Sequence, residues 1–306
     1  MAPGWRSGRR PDSPRSLISR GGLIKRRPER GVTQTTLPPP KLGLGTFRMT
    51  GAACQAAVES ALALGYRHID TGQMYGNEDA VGAALGASGI PRAEIFLTGK
   101  VCHALATPDA ARASLDESLT RLRTEYLDLC LLHWPRSGLD IPGILEMLTR
   151  AMEAGKAWRI GVANFPLRLL HMAVEEVGAP IFCNQIEYHV LLDQTPILTY
   201  LRAHGMMLVA HVPLAQGRLA EHPAMRAIAA RHGATPAQVA LKWLLDQDGV
   251  AAIPKAARPA SQRENLAAFD VTLDDEDRAM IASLPKDQRF VDPPFAPQWD
   301  VPTDRH

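Results

Sequence analysis

Several features are missing from this 306-residue chain, and each absence removes a class of function. Its four cysteines, Cys54, Cys102, Cys130 and Cys183, are widely spaced with no CxxC pair, which argues against a disulfide framework or a zinc site and fits a reducing cytosol. No uninterrupted apolar run reaches the roughly 18 residues that a membrane-spanning helix needs. The formal net charge is only +2, so no global field attracts nucleic acid. No GxGxxG follows the first apolar run, and neither a GxSxG elbow nor a GxxxxGK loop occurs. A Rossmann-type dinucleotide fold, an acyl-transfer serine and a phosphate-cradling loop therefore lack their usual signatures. No His/Cys/Asp cluster has ligand spacing, and no metal is expected.

What is present reads as a folded soluble chain, with 46% hydrophobic and 22% charged residues. Residues 1–36 differ: they are rich in Arg, Pro, Ser and Gly, with only Asp12 and Glu29 opposing the charge. They are expected to form a disordered basic extension, leaving 37–306 as one domain. An Arg-rich, acid-poor leader suits a transit peptide or a nucleic-acid-binding arm, but Trp5 is its only aromatic residue, which weakens the second. Its apolar runs are too short for a secretory signal. The favoured reading is an extension without a function of its own, with Val32 as an alternative start.

From Lys41 onward, short β-rich runs alternate with helix-like segments. Strands are expected at 42–46, 67–70, 95–100, 126–133, 158–162, 181–187, 207–211 and 250–253. Helices are expected at 53–64, 77–88, 108–122, 141–154, 167–177, 195–204, 224–232, 236–246 and 261–268. Thr107-Pro108 and Thr235-Pro236 supply cap-then-proline starts for two of them. About eight strand-helix pairs imply a parallel sheet clad in helices and favour a single closed (β/α)8 barrel over an open sheet.

Such barrels carry their reacting groups at the C-terminal ends of the strands. Here the second strand ends at Asp70, the third at Lys100, the fourth at His133, the fifth at Asn164, the seventh at His211 and the eighth at Lys255, while the sixth carries Gln185 and Glu187. One histidine after an apolar run is usually a core residue bonded to backbone. A ring of polar strand ends is harder to explain that way, because an unpaired buried charge is costly.

The stretch "GYRHIDTGQMYGNE", residues 65–78, adds Tyr75 just after Asp70. Tyr75, Lys100, Asp70 and His133 make a possible proton-transfer device. A neighbouring ammonium should pull a phenol down from its ordinary pKa near 10, Asp70 would keep Lys100 protonated, and His133 would orient a carbonyl oxygen. Glu78 is expected to support the loop, Tyr188 and His189 to be loop packing, and Trp243 to be core. Carbonyl reduction suits such a site. A Schiff-base lyase using Lys100 is the alternative enzyme, and a binding or regulatory barrel whose leader contacts RNA or protein is the alternative outside catalysis.

"GYRHIDTGQMYGNEDAVG", followed in order by "TGK", "LLHWP", "GVANF", "NQIEY", "LVAHVPLAQG", "IPK" and "EN", resembles the aldo-keto reductases across 41–300. The resemblance implies a (β/α)8 barrel that uses a nicotinamide cofactor, with Asp70, Tyr75, Lys100 and His133 as the catalytic tetrad and Tyr75 as the acid in reduction. It implies cofactor contacts at Thr46, Asn164, Gln185, His211, Leu214, Lys255, Glu264 and Asn265. Substrate contacts are expected at His133, Trp134, Cys102 and Trp299. The closing "QRFVDPPFAPQWD" is similar to the branch of bacterial 2,5-diketo-D-gluconate reductases, which also reduce methylglyoxal.

Some positions depart from the family pattern. Cys102 stands where a tryptophan is usual, His211 where a tyrosine stacks on the nicotinamide, and Ala163 where a serine helps hold the carboxamide. Ala256 and Ser261 replace a serine and an arginine that meet the 2′-phosphate, with Arg258 able to compensate. NADPH is the expected cofactor, with NADH possible. A cytoplasmic monomer acting on a small carbonyl compound is expected, with no nucleic acid and no membrane as partner.

Overall fold

Eight short runs become eight parallel strands in sequence order: β1 (Leu44–Gly45), β2 (His68–Asp70), β3 (Phe96–Val101), β4 (Leu129–Leu132), β5 (Ile160–Ala163), β6 (Ile181–Glu187), β7 (Met207–His211) and β8 (Val250–Ala252). This computed structural model describes Met1 and residues 39–300 except His103 and Ala106. The basic extension expected at 1–36 lies outside the described residues.

The sheet closes on itself. The Gly43 N–H donates to Ala252 O at 2.9 Å, the Ala252 N–H to Lys41 O at 2.8 Å, and the Gly45 N–H to Pro254 O at 3.1 Å. Closure depends on Gly45: a Cβ there would lie 2.7 Å from the Ile253 carbonyl oxygen. The fold is therefore the expected (β/α)8 barrel. Several strands are shorter than their apolar runs, because residues such as Leu42 and Gly43 join only the closing seam.

Strands buried on both faces read as continuous apolar runs. Phe96, Leu129, Leu131, Ala163, Cys183, Val209 and Ile253 form one cluster. A larger cluster joins the alternate strand residues to the helices. Helices α1 (Gly51–Ala63), α2 (Glu78–Ala87), α3 (Pro108–Arg121), α4 (Ile141–Glu153), α5 (Leu167–His171), α6 (Thr195–Ala203), α7 (Pro223–Arg231), α8 (Pro236–Leu245) and α9 (Pro259–Leu266) fall where helical spacing placed them. Both Thr-Pro starts are caps: Thr107 accepts the Ala110 N–H, and Thr235 forms a reciprocal box with Gln238.

Two elements differ from expectation. Residues 172–176 continue α5 as a π-helical turn. A tenth helix, α10 (Asp275–Ala282), went unpredicted because its sequence is highly charged and weakly periodic. It is stabilised by an Asp274–Asp277 capping box and three acidic residues in its first turn.

Gly82 lets α2 press on the end of α3. An added Cβ would fall 2.9 Å from Leu122 Cα and nearer still to Arg121 O. Alanine in a helix interior normally gains about 1 kcal/mol over glycine, but overpacking against backbone costs about 1–3 kcal/mol. Gly82→Ala should therefore destabilise, lowering the unfolding midpoint by about 5 °C in a thermal scan; a raised midpoint would contradict the close contact.

His68 is fully buried within the barrel, its Nε2 3.1 Å from Thr98 Oγ1, and burial lowers its imidazole to about 4. The unfolded value is near 6.5, so the native state resists the proton that the unfolded chain accepts. This contribution is complete above pH 6.5 and is lost as pH falls toward 4, to the extent of about 3 kcal/mol. Urea midpoints measured from pH 7 to pH 4.5 should fall, and the slope should flatten in His68→Gln.

Candidate active site

Asp70 closes β2, and the chain then turns through Thr71 and Gly72 into a 3-10 turn at Gln73–Tyr75. Asn77 latches this turn to the segment after β1: its Nδ2 donates to Thr46 O and Met49 O, both at 2.9 Å, while its Oδ1 accepts from Thr71 Oγ1 at 2.8 Å. Gln73 ties the other side, donating to Ser114 and Ser118 and accepting the Cys102 N–H at 2.7 Å. Glu78 is buried and ion-paired to Arg121 at 2.7 Å, as its expected supporting role requires. The polar crowding of residues 65–78 is thus a network that fixes Tyr75.

Lys100, on β3, occupies the centre. Its Nζ donates to Asp70 Oδ1, to Thr71 O at 3.1 Å and to Tyr75 Oη at 3.0 Å. Three donated bonds use all three hydrogens of an ammonium. Burial opposes that charge, but Asp70 and Tyr75 outweigh it and raise the Lys100 pKa. Asp70 is itself oriented by Gln185 on β6, whose Nε2 donates to Asp70 Oδ2 at 2.7 Å.

Tyr75 behaves differently from the expectation that Lys100 would pull it down. Burial raises its pKa, Lys100 opposes this and Asp70 adds to it, and the net direction is upward. In the free protein the phenol is therefore a firmly held proton donor.

His133 follows β4 and stands edge-on to Tyr75 with ring centroids 5.7 Å apart. The His133 carbonyl accepts from Asn164 Nδ2 at 3.1 Å, and Asn164 Oδ1 lies 2.7 Å from His211 Nε2. Burial lowers His211 to about 4, so the ring is neutral at pH 7 and its Nε2–H is the donor. Asn164 has φ +63, a left-handed conformation that asparagine tolerates better than most residues.

The positions expected to contact a cofactor fall in several places. Asn164, Gln185 and His211 surround the tetrad; Gln185 Oε1 accepts no bond from any described residue, which suits an amide N–H. Leu214 lies in a loop after β7 in which Val212, Ala215 and Gln216 all have positive φ. Such strain in non-glycine residues persists where the surroundings hold it, often at functional sites. Further along, Lys255 and Arg258 are exposed beside the start of α9, whose first turn has no side-chain cap. Free N–H groups next to two cations suit a phosphate. Gln262 braces this corner, bonding to Ala57 O, Ala256 O and Ser60.

Thr46 is fully buried and donates to Asp70 O, Asn265 faces inward toward Tyr66, and Glu264 is half-buried. Thr46 and Asn265 brace the framework in the free protein.

Trp134 and Trp299 meet edge-on at 6.2 Å, and Phe295 meets Trp134 at 5.5 Å. The closing segment that carries Phe295 and Trp299 is tied down by buried Glu187, which accepts the Phe290 and Val291 N–H groups at 2.8 and 2.9 Å. Cys102 is half-buried beside Gln73. Sequence reasoning missed Phe47, which is 52% exposed with its ring 5.1 Å from Tyr75. Its position directly after Thr46 at a strand end was the available signal. Tyr188 and Trp243 pack on each other at 5.3 Å, and His189 is bonded to Glu187.

Two other features do not compete as sites. A cavity of about 820 Å³ lies beside the N-terminal ends of β3 and β4, and its Arg92 is already paired with Asp128 at 2.7 Å. His232, Asp274 and Asp277 have metal-ligand spacing, but Arg231 already pairs with both carboxylates, at 2.7 and 3.2 Å. Among the described residues no helix is long and apolar enough to cross a membrane.

Comparison with known proteins agrees with this geometry. The sequence profile of the Aldo/keto reductase family matches residues 41–286. Methylglyoxal reductase DkgB of Salmonella typhimurium is 40% identical over 265 residues, covering 85% of this chain and 99% of that protein. A crystal structure described as a 2,5-diketo-D-gluconic acid reductase B superposes with a TM-score of 0.83 at 44% identity, covering 86% of this chain and 94% of the other. An aldo/keto reductase from Brucella melitensis superposes with a TM-score of 0.76 at 37% identity, over 79% and 93%.

Proposed function

The chain belongs to the aldo/keto reductase family, and from that premise we propose that it reduces small aldehydes or ketones to alcohols with NADPH, Tyr75 donating the proton. 2,5-Diketo-D-gluconate and methylglyoxal are the first substrates to test, because relatives carry those names. The observation that carries the mechanism is Lys100 Nζ, which donates at once to Asp70, Thr71 O and Tyr75 Oη.

A bound reduced nicotinamide supplies the hydrogen and electron pair that the carbonyl carbon gains. Asn164, Gln185 and His211 would hold its ring end, the 212–217 loop its middle, and Lys255 and Arg258 its 2′-phosphate. The chain supplies the rest. The His133 ring orients the carbonyl oxygen toward Tyr75. As negative charge grows on that oxygen, Tyr75 Oη gives up its proton, and the Lys100 ammonium stabilises the phenolate left behind. Asp70 keeps Lys100 charged and in place throughout.

The same bonds weigh against the lyase alternative. Schiff-base formation needs a neutral, free amine, whereas Lys100 has all its hydrogens donated and its pKa raised. The test is a steady-state panel of 2,5-diketo-D-gluconate, methylglyoxal and aromatic aldehydes with NADPH and NADH. Carbonyl-dependent NADPH oxidation supports the reading. Its absence across the panel, or borohydride trapping of a substrate on Lys100, overturns it. The proposal extends to a cytoplasmic monomer, with 37–306 as its catalytic domain.

A further inference from the structure

Gln262 is fully buried, and its side-chain amide has both hydrogens and its oxygen engaged. Its Nε2 donates to Ala57 O at 2.8 Å and to Ala256 O at 3.0 Å, while its Oε1 accepts from Ser60 Oγ at 2.8 Å. Ala57 and Ser60 lie on α1, and Ala256 lies between β8 and α9. A methionine would fill the same length without needing partners, whereas an amide taken out of water is tolerated only when its bonds are remade. Here one of those bonds is spent on the stretch between the exposed cations Lys255 and Arg258.

That bond fixes the direction of a peptide group. The peptide bonds of the described residues are all trans, so the Ala256 carbonyl and the Ala257 N–H point opposite ways. Gln262 draws the carbonyl into the buried contact with α1, and the Ala257 N–H is thereby turned outward. Ala257 is exposed, and its N–H donates to no described residue. On the other flank Lys255 is paired with Gly45 at the barrel seam, where the Gly45 N–H donates to Pro254 O at 3.1 Å. The backbone around Lys255 is thus held from β1 on one side and from Gln262 on the other. Ala256 and Ala257 bring no polar side chain, so this stretch can meet an anion only through its backbone. A reversed 256–257 peptide would present a carbonyl oxygen there and repel it.

We propose that Gln262 is a positioning residue for cofactor choice: by holding Ala256 O inward it keeps the Ala257 N–H outward between Lys255 and Arg258, the face that would meet a 2′-phosphate. The inference rests on the reductase reading with NADPH and names a buried residue that sets the preference within it. Gln262 itself touches no cofactor. NADH, which has no 2′-phosphate, gains nothing from this peptide.

Calorimetric titration with 2′,5′-ADP and 5′-AMP, which differ only in the 2′-phosphate, tests it without turnover. Q262M keeps the packing length and should weaken 2′,5′-ADP binding about 10-fold, the scale of one bond to a charged group, with 5′-AMP nearly unchanged. In steady state the same variant should raise the KM for NADPH about 10-fold, with kcat and the KM for NADH within about twofold of wild type. S60A removes only the partner of Oε1, so it should cost stability in a thermal scan while keeping the preference for NADPH. Should Q262M fold poorly, A256G loosens the same peptide without touching the buried amide and should lose part of the preference; a preference kept in full would count against the proposal.

Equal losses for 2′,5′-ADP and 5′-AMP, no loss for either, or a loss of preference in S60A as large as in Q262M would overturn the proposal, as would a wild type that does not bind 2′,5′-ADP. Selective weakening of 2′,5′-ADP by Q262M supports the positioning role even if no carbonyl is reduced, in which case the reductase reading fails alone. Carbonyl reduction by Q262M that uses NADPH and NADH in the wild-type proportion sinks the positioning role and leaves the reductase reading intact.

Discussion

Tyr75→Phe should lower kcat for carbonyl reduction by about 10²–10⁴-fold, the usual contribution of a positioned general acid. The ring is kept, so its edge contact with His133 and its packing on Phe47 persist. Only the hydroxyl that accepts from Lys100 is lost, and Lys100 retains Asp70 and Thr71 O as partners. Folding stability and binding of a nicotinamide cofactor should therefore barely change, and fluorescence titration of the cofactor together with a thermal scan would check this. A variant that lost cofactor affinity in step with rate would show Tyr75 acting as scaffold. A residual rate close to wild type would remove it from the chemistry altogether.

The second large effect is on stability. Lys100→Met takes the ammonium from beside Asp70, whose carboxylate is almost fully buried and keeps only the Gln185 amide. Stranding one member of a buried pair costs about 3–5 kcal/mol, so the urea midpoint should drop sharply at pH 7. The deficit should shrink at acid pH, where the stranded carboxylate can take up a proton. Asp70→Leu combined with Lys100→Met removes both charges and should recover much of the lost stability. It should recover none of the activity, because Tyr75 would still lack its cation. A double variant as unstable as Lys100→Met would mean that lost packing, and not the stranded charge, causes the damage.

Glu187 shows how a residue legible in the sequence acquires a use only in the fold. Its place at the end of the sixth strand was readable from "NQIEY". That its carboxylate would collect backbone N–H groups from Phe290 and Val291, about a hundred residues later, was not. Asn77 is similar: it suits a turn by type, yet its three bonds reach the segments after β1 and β2. Arg289 lies within a motif noticed for its resemblance alone, and nothing local marks its guanidinium as stacked on Trp299.

The sequence by itself determined the order of the strands and of nine helices and the barrel they build, and it marked Asp70, Tyr75, Lys100 and His133 as candidates. Apolar runs, cap-proline starts and polar strand ends are local properties, and the barrel topology carries those ends to one rim. Only the tertiary structure decided which way Tyr75 shifts, because burial and two opposed charges compete there. It alone also decided that α10 forms, that Lys100 uses all three of its donors, and that Arg289 stacks on Trp299. Each of these depends on distances of a few ångströms between residues far apart in the chain, where desolvation and Coulomb terms of similar size are settled by geometry.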